Sequence, residues 1–278
     1  MLQHTFCHIP GLGLKTERRL WQSGISSWDK WQDPPTVALK TACPAEIPAL
    51  LASSRQALAA DPLFFTGRLA AGEHWRIFPH YRDATAYLDI ETTGLAEAAE
   101  ITTIAVYDGR EVTTFVNGEN LHRFPSFIDR FQVLVTYNGK GFDVPFLERF
   151  FRIRLPQAQI DLRYVLARLG FKGGLKGCER GLGISRGALD GVDGYFAVLL
   201  WNEYRHTGDR RVLHTLLAYN IEDTVNLERL AVEAYNRHVA ATPFAAELYL
   251  DWPVPPPLPY SPDLDVIDRV RRQFRSAW

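Results

Sequence analysis

Apolar and polar positions alternate with period two from Thr85 to Glu91, TAYLDIE, which predicts a strand. Thr85, Tyr87, Asp89 and Glu91 point to one face, and Ala86, Leu88 and Ile90 to the other. Ile101 to Tyr107 and Val112 to Val116 read as two more strands, joined through Asp108-Gly109, a strong hairpin signal. Three strands in succession predict an antiparallel meander. After a helical segment near Phe124 to Phe131, Gln132 to Tyr137 reads as a buried strand. Asp143 to Phe151 follows as a helix, a short strand is expected near Gln159 to Asp161, and the remainder to about Arg237 is mostly helical. Strands first, then strands mixed with helices, imply an α/β fold with a central mixed sheet flanked by helices.

The flanks differ from this middle. Residues 1–80 mix short helical patterns with Pro and Trp and carry little strand signal, residues 83–237 hold the alternating elements, and 238–278 form a Pro-rich C-terminal extension. Its PPPLP run is expected to lie as a strap over the domain rather than to serve as a polyproline ligand. In the terminal segment, Arg269, Arg271, Arg272 and Arg275 are partly offset by Asp263, Asp265 and Asp268, which suggests a solvated helix.

Composition narrows the class. The 278 residues are 46% hydrophobic and 12% aromatic, enough for a real core. Thirty-one basic and 32 acidic residues give a net charge of −1, which excludes a globally basic nucleic-acid coat. Cys7, Cys43 and Cys178 are too few and too scattered for a disulfide framework or a Cys-rich zinc site. The longest strictly apolar run, Tyr195 to Trp201, falls far short of the roughly 20 residues that span a bilayer. The N-terminal MLQHTFCHIPGLG has no basic-then-apolar signal pattern. A soluble cytoplasmic protein with no membrane partner is expected.

Carboxylates in three places carry the candidate chemistry. Asp89 and Glu91 share one strand face, about 7 Å apart at the strand rise. Paired anions at the end of an apolar strand repel and are poorly solvated, and a divalent cation relieves both costs. The second place is TYNGKGFD, where a buried strand ends in a Gly-flanked turn and Asp143 is set to cap the next helix, with Pro145 in its first turn. The third is a helix in which Leu216, Asn220, Asp223, Leu227 and Leu230 share one stripe, with the Tyr219 phenol one turn from Asp223. Singly, each has a plain structural alternative: a solvated strand end, a helix cap, an Asp–Arg pair.

Together, LDIETTGL, TYNGKGFD and YNIED resemble the three motifs of the DnaQ-like, or DEDD, 3′–5′ exonuclease superfamily. The resemblance implies a ribonuclease H-like fold, a mixed five-stranded sheet flanked by helices, over roughly residues 83–237. Asp89 and Glu91 match the paired acids of the first motif. Asp143 matches the acid of the second, with Asn138 and Phe142 filling its Asn-to-Phe-Asp pattern. Asp223 matches the third, and Tyr219 fits the tyrosine subtype. The Gly174 to Ile184 segment, GLKGCERGLGI, is similar to the Gly-Leu-Lys helix of the YprB-like ribonuclease H-like branch, which places Lys176 near the substrate backbone or, alternatively, leaves it a solvated helix lysine. Some members of that branch accompany a helicase in DNA repair, which makes a helicase a candidate partner here.

The implied mechanism is metal-dependent hydrolysis of a phosphodiester. Asp89, Glu91, Asp143 and Asp223 are the expected ligands of two Mg²⁺ or Mn²⁺ ions. Tyr219 is expected to orient the attacking water, and Thr92 and Thr93 to anchor the terminal nucleotide. A second nucleic-acid contact is suggested by Ile9 to Ile25, which resembles one helix-hairpin-helix motif: Gly11 and Gly13 permit a tight turn that offers N–H groups to phosphate, and Lys15 adds charge. The leading reading is a 3′–5′ exonuclease on DNA, with RNA as the other substrate. The alternatives are a nucleic-acid-binding module that has lost catalysis and a structure-specific endonuclease on the same fold.

Overall fold

The computed structural model describes all residues except 33–34, 36, 40–43, 97, 191 and 276–278, and excludes the side chains of 274 and 275. Cys43 therefore lies outside the described residues, while Cys7 and Cys178 are free thiols.

The expected meander forms. Strands β1 (Thr85–Thr92), β2 (Ile101–Tyr107) and β3 (Val112–Val116) are antiparallel neighbours. Asp108 closes the β2–β3 turn, its Oδ1 accepting from the N–H groups of Arg110 and Glu111, and Gly109 supplies a φ of 89° that favours glycine. Strand β4 (Val133–Thr136) pairs parallel with β1, and β5 (Ala158–Asp161) parallel with β4. The order β3-β2-β1-β4-β5 puts β1 in the middle of a mixed five-stranded sheet.

Both faces of β1 are covered. Ala86, Leu88 and Ile90 pack with Phe124, Ile128 and Leu147, and Tyr87 packs on the other face with Tyr107 and Tyr235. Six helices matter below: α1 (Leu14–Gln22), α2 (Asp143–Phe151), α3 (Gly174–Gly181), α4 (Gly194–Thr207), α5 (Arg210–Ala240) and α6 (Leu264–Arg275). The longest, α5, lies across β1, β2 and β4, and its stripe of Leu216, Asn220, Asp223, Leu227 and Leu230 is buried as the spacing requires. Among the described residues no helix is long and apolar enough to cross a membrane.

The C-terminal helix departs from expectation. It is docked rather than solvated: Val266, Ile267 and Val270 are buried in the cluster built by α4 and α5. Arg269 ion-pairs with Asp209 at 3.2 Å and Glu203 at 3.7 Å. A narrow apolar stripe thus outweighs the many charges around it.

The N-terminal region shares the core of the sheet domain, with Phe6, Leu20, Trp28 and Phe65 in one cluster with Val133, Ile160 and Leu166. A buried ion network ties the N-terminal region together, and one pair of it reaches the sheet domain. Arg76 pairs with Glu17 and Glu73, both at 2.8 Å, and Arg168 reaches Glu73 at 3.1 Å. Glu17 also accepts from the backbone N–H groups of Phe6 and Cys7. Gly11, at φ 83°, turns the chain toward α1, whose N-cap is Gly13. The element before that turn is a 3₁₀ turn, Leu2–His4, so one α-helix rather than two flanks the glycines. The structure does not show a helix-hairpin-helix.

Candidate active site

Strand alternation places Asp89 and Glu91 on one face, and the long helix α5 delivers Asp223 to the same point. One carboxylate oxygen from each of Asp89, Glu91 and Asp223 lies within 4.8 Å of the other two. Glu91, Asp143 and Asp223 are buried, while Asp89 keeps partial access to solvent.

Asp143 arrives differently from the cap its sequence suggests. Phe142 is the N-cap of α2, and Asp143 is its first helical residue and makes no capping bond. Instead its Oδ1 accepts from the backbone N–H of Ile90 at 3.3 Å, between the two β1 acids. The pairing of β1 with β4 ends at Tyr87, which leaves the Ile90 N–H open on that side. The turn that carries Asp143 is tightly specified. Asn138 sits at φ 65°, and a Cβ on Gly139 would meet Thr136 Oγ1 at 2.2 Å. Asp161, at the end of β5, accepts from the N–H groups of Asn138 at 2.8 Å and Lys140 at 3.2 Å. Phe142 packs on Phe146, with ring centroids 5.7 Å apart, and Asn138 Oδ1 accepts from Arg163.

Asn220, on the α5 stripe, completes the support of Asp89. Its Nδ2 donates to Asp89 Oδ2 at 2.7 Å, and its Oδ1 accepts from Thr103 Oγ1 at 3.0 Å. Tyr219 is buried, and its hydroxyl accepts from Lys176 Nζ at 2.9 Å. Lys176 also donates to the Val192 carbonyl, so it is turned inward and is not a solvated helix lysine. Arg186, buried, ion-pairs with Asp223 Oδ1 through Nη2 and donates from Nη1 to Glu179 Oε1 and Oε2 at 3.2 and 3.0 Å.

The electrostatics follow from four acids in a confined space. Burial pushes the carboxyl of Asp89 well above its ordinary range, and Glu91, Asp223 and Asp143 push it further. Glu91 is raised by burial and by Asp223, against the pull of Lys176 and Arg186. Asp143 is pushed up to about 7 by burial, offset in part by backbone hydrogen bonds. Asp223 is raised by burial despite Arg186 beside it. The Tyr219 phenol is also driven up by burial and then by Asp223, Glu91 and Asp89, which keeps it protonated.

Other candidate residues lie elsewhere or are engaged locally. Thr92 Oγ1 donates to the Gly94 carbonyl at 2.8 Å, and Thr93 Oγ1 accepts from Glu100 N at 2.9 Å, so both hydroxyls close the turn after β1. Gly11, Gly13 and Lys15 stand exposed at the start of α1, and among the described residues no hydrogen bond or ion pair joins them to the acids. Four supporting residues were not singled out by sequence: Asn220, Asp161, Glu179 and Arg186. A polar residue three positions before Asp223 in an apolar stripe is a readable signal for Asn220. Nothing local marks Arg186, far from Asp223 in sequence.

The donor set suits a hard divalent cation. Clustered carboxylates, all oxygen donors, match the preference of Mg²⁺ or Mn²⁺, and their mutual repulsion under burial is what such a charge relieves.

No curated protein matches the chain in sequence. Among solved structures, the family B DNA polymerase from the hyperthermophilic archaeon Pyrobaculum calidifontis is similar, at 17% identity and a TM-score of 0.44. That similarity covers 58% of this chain and 26% of the polymerase, so the chain spans about a quarter of that protein's length. The family model described as RNase_H superfamily matches residues 86–235, over half of the chain and the whole of the sheet with its acids. By fold and by sequence, the chain belongs to the RNase H superfamily.

Proposed function

We propose that the protein is a metal-dependent nuclease that hydrolyses phosphodiester bonds, acting as a 3′–5′ exonuclease of the DEDD tyrosine subtype on DNA. The observation that carries this reading is the convergence of Asp89, Glu91 and Asp223 within 4.8 Å, with Asp143 bonded between the first two. These carboxylates would hold two Mg²⁺ or Mn²⁺ ions, which supply an activated water and charge stabilisation at the leaving oxygen.

The chain's own residues define the remaining roles. Asn220 fixes the orientation of Asp89 through a bond to Oδ2, which leaves Oδ1 for a ligand. Tyr219 stays a neutral donor, and with its oxygen already accepting from Lys176 its proton is free to orient a water. Lys176 brings positive charge to the rim, where a phosphate would meet it. Gly11, Gly13 and Lys15 offer a second, sequence-independent phosphate contact, and a helicase of a repair system is the partner the motif resemblance suggests.

A second reading draws on one observation. A buried arginine already sits on Asp223, as expected of a nucleic-acid-binding module without turnover. A time course separates the two. With 3′-labelled and 5′-labelled DNA and RNA plus Mn²⁺, an exonuclease releases labelled mononucleotide early from the 3′ end, and Asp223→Asn does not. Binding without release supports the inactive module. Cleavage of a circular substrate replaces the exonuclease reading with an endonuclease.

A further inference from the structure

Among the described residues, Arg186 is the one buried cation that ion-pairs with an acid of the cluster. Its guanidinium is shared. Nη1 holds both oxygens of Glu179, which is fully buried and also accepts from Asn226 at 2.8 Å. Nη2 ion-pairs with Asp223 Oδ1, and Nε has no hydrogen-bond partner. The guanidinium is therefore held from two sides, by Glu179 and by Asp223. A divalent cation shared by Asp89, Glu91 and Asp223 would compete for the same carboxylate, and two cations on one buried carboxylate repel strongly where screening is weak.

The surroundings give the guanidinium somewhere to go. A cavity of about 250 Å³ opens beside it, with Lys176, Glu179, Arg180, Asp190 and Asp193 among its lining and Arg186 itself on its wall. Rotation of the outer guanidinium into this cavity would free Asp223 with Glu179 still beside it.

We propose that Arg186 is a resident counter-cation of Asp223 which a divalent ion displaces, with Glu179 retaining the displaced guanidinium at the rim. The inference rests on the ion site of the proposed function and adds its regulation. Ion binding and the Arg186–Asp223 pair exclude each other, so the affinity of the site for ions is set by a competition inside the protein. Removing the competitor tightens ion binding. Removing its alternative partner, Glu179, leaves Arg186 more firmly on Asp223 and loosens ion binding.

The test is calorimetric titration of the full chain with Mn²⁺ alone, without nucleic acid, for wild type, Arg186→Gln, Arg186→Lys, Glu179→Gln, Arg180→Gln and Asp89→Asn. Circular dichroism checks the fold of each. The expected order of affinity is Arg186→Gln tightest, then Arg186→Lys, then wild type, then Glu179→Gln, with at least a tenfold gap between Arg186→Gln and wild type. Arg180 is an exposed neighbour that touches no acid of the cluster, so Arg180→Gln measures the field effect of one lost charge, which Arg186→Gln must exceed. Unchanged or weaker Mn²⁺ binding in Arg186→Gln overturns the proposal, as does tighter binding in Glu179→Gln. Should Arg186→Gln not fold, the opposite shifts of Arg186→Lys and Glu179→Gln decide alone. If wild type binds Mn²⁺ and Asp89→Asn does not, while the Arg186 variants match wild type, the exchange fails and the ion site stands. If neither wild type nor Arg186→Gln binds Mn²⁺, both fail.

Discussion

Two parts of the molecule bury carboxylates, and they balance them differently. Within the N-terminal region, Glu17 and Glu73 are matched by Arg76, and Arg168 of the sheet domain also reaches Glu73. Toward the C-terminal end of the central strand β1, Asp89, Glu91, Asp143 and Asp223 have, among the described residues, one directly paired cation, Arg186, which Glu179 also holds. The guanidinium of Arg76 is held above its ordinary range by Glu17, Cys7 and Glu73 despite its burial. The acids of the cluster are all pushed upward, chiefly by burial. Matched buried charge holds segments together, whereas buried charge in surplus of one sign is left unbalanced, as the proposed ion site requires.

That contrast can be broken most forcefully at the cluster. Asp89→Asn should lower Mn²⁺-dependent cleavage at least about a thousandfold, roughly 4 kcal/mol of transition-state stabilisation, with an unchanged circular dichroism spectrum. Retained cleavage in a well-purified variant would reject the metal assignment. In the N-terminal network the effect is on stability instead. Arg76→Ala strands Glu17 in the core, leaves Glu73 with Arg168 alone, and should cost about 3–5 kcal/mol by denaturant unfolding, with no rescue by Mn²⁺. A loss below about 1 kcal/mol would show that the N-terminal region does not depend on Arg76.

The pH dependence sharpens the comparison. Asp143 is raised from 3.8 to about 7, so the folded protein keeps a proton that the unfolded chain releases across that window. The unfolded state then binds fewer protons, and stability contributed at low pH is lost as pH rises from about 4 to 7. In chelator, Asp143→Asn escapes this loss, so its advantage over wild type should grow with pH to about 4 kcal/mol near pH 8. Parallel stability curves for the two proteins would contradict the assigned burial cost. The smallest effect is expected from Asn220→Ala, which unfastens Asp89 without removing a ligand. Mn²⁺ affinity should fall about 10–100-fold by calorimetry, and an unaltered affinity would leave Asn220 a purely structural residue.

Much of the fold was legible because it is written in local periodicity. The alternation through β1 sets Asp89 and Glu91 on one face, and the α5 stripe aims Asp223 inward. The helix from Asp143 to Phe151 was also readable, but the aim of the Asp143 side chain was not, because it depends on where β4 stops pairing with β1. Arg186 and Glu179 answer charges brought near only by folding, and Asp161 braces a turn from the neighbouring strand. The Arg76–Glu17 pair was equally hidden, since the two residues lie 59 positions apart. In α6, a count of charges concealed a three-residue apolar contact.

The most direct test of the central claim is a crystal soaked in Mn²⁺ and measured at the manganese absorption edge. Two anomalous peaks about 4 Å apart are predicted, each within about 2.5 Å of a carboxylate oxygen, with Asp89 ligating both. Manganese bound elsewhere on the molecule, with no peak beside Asp89, would contradict the account.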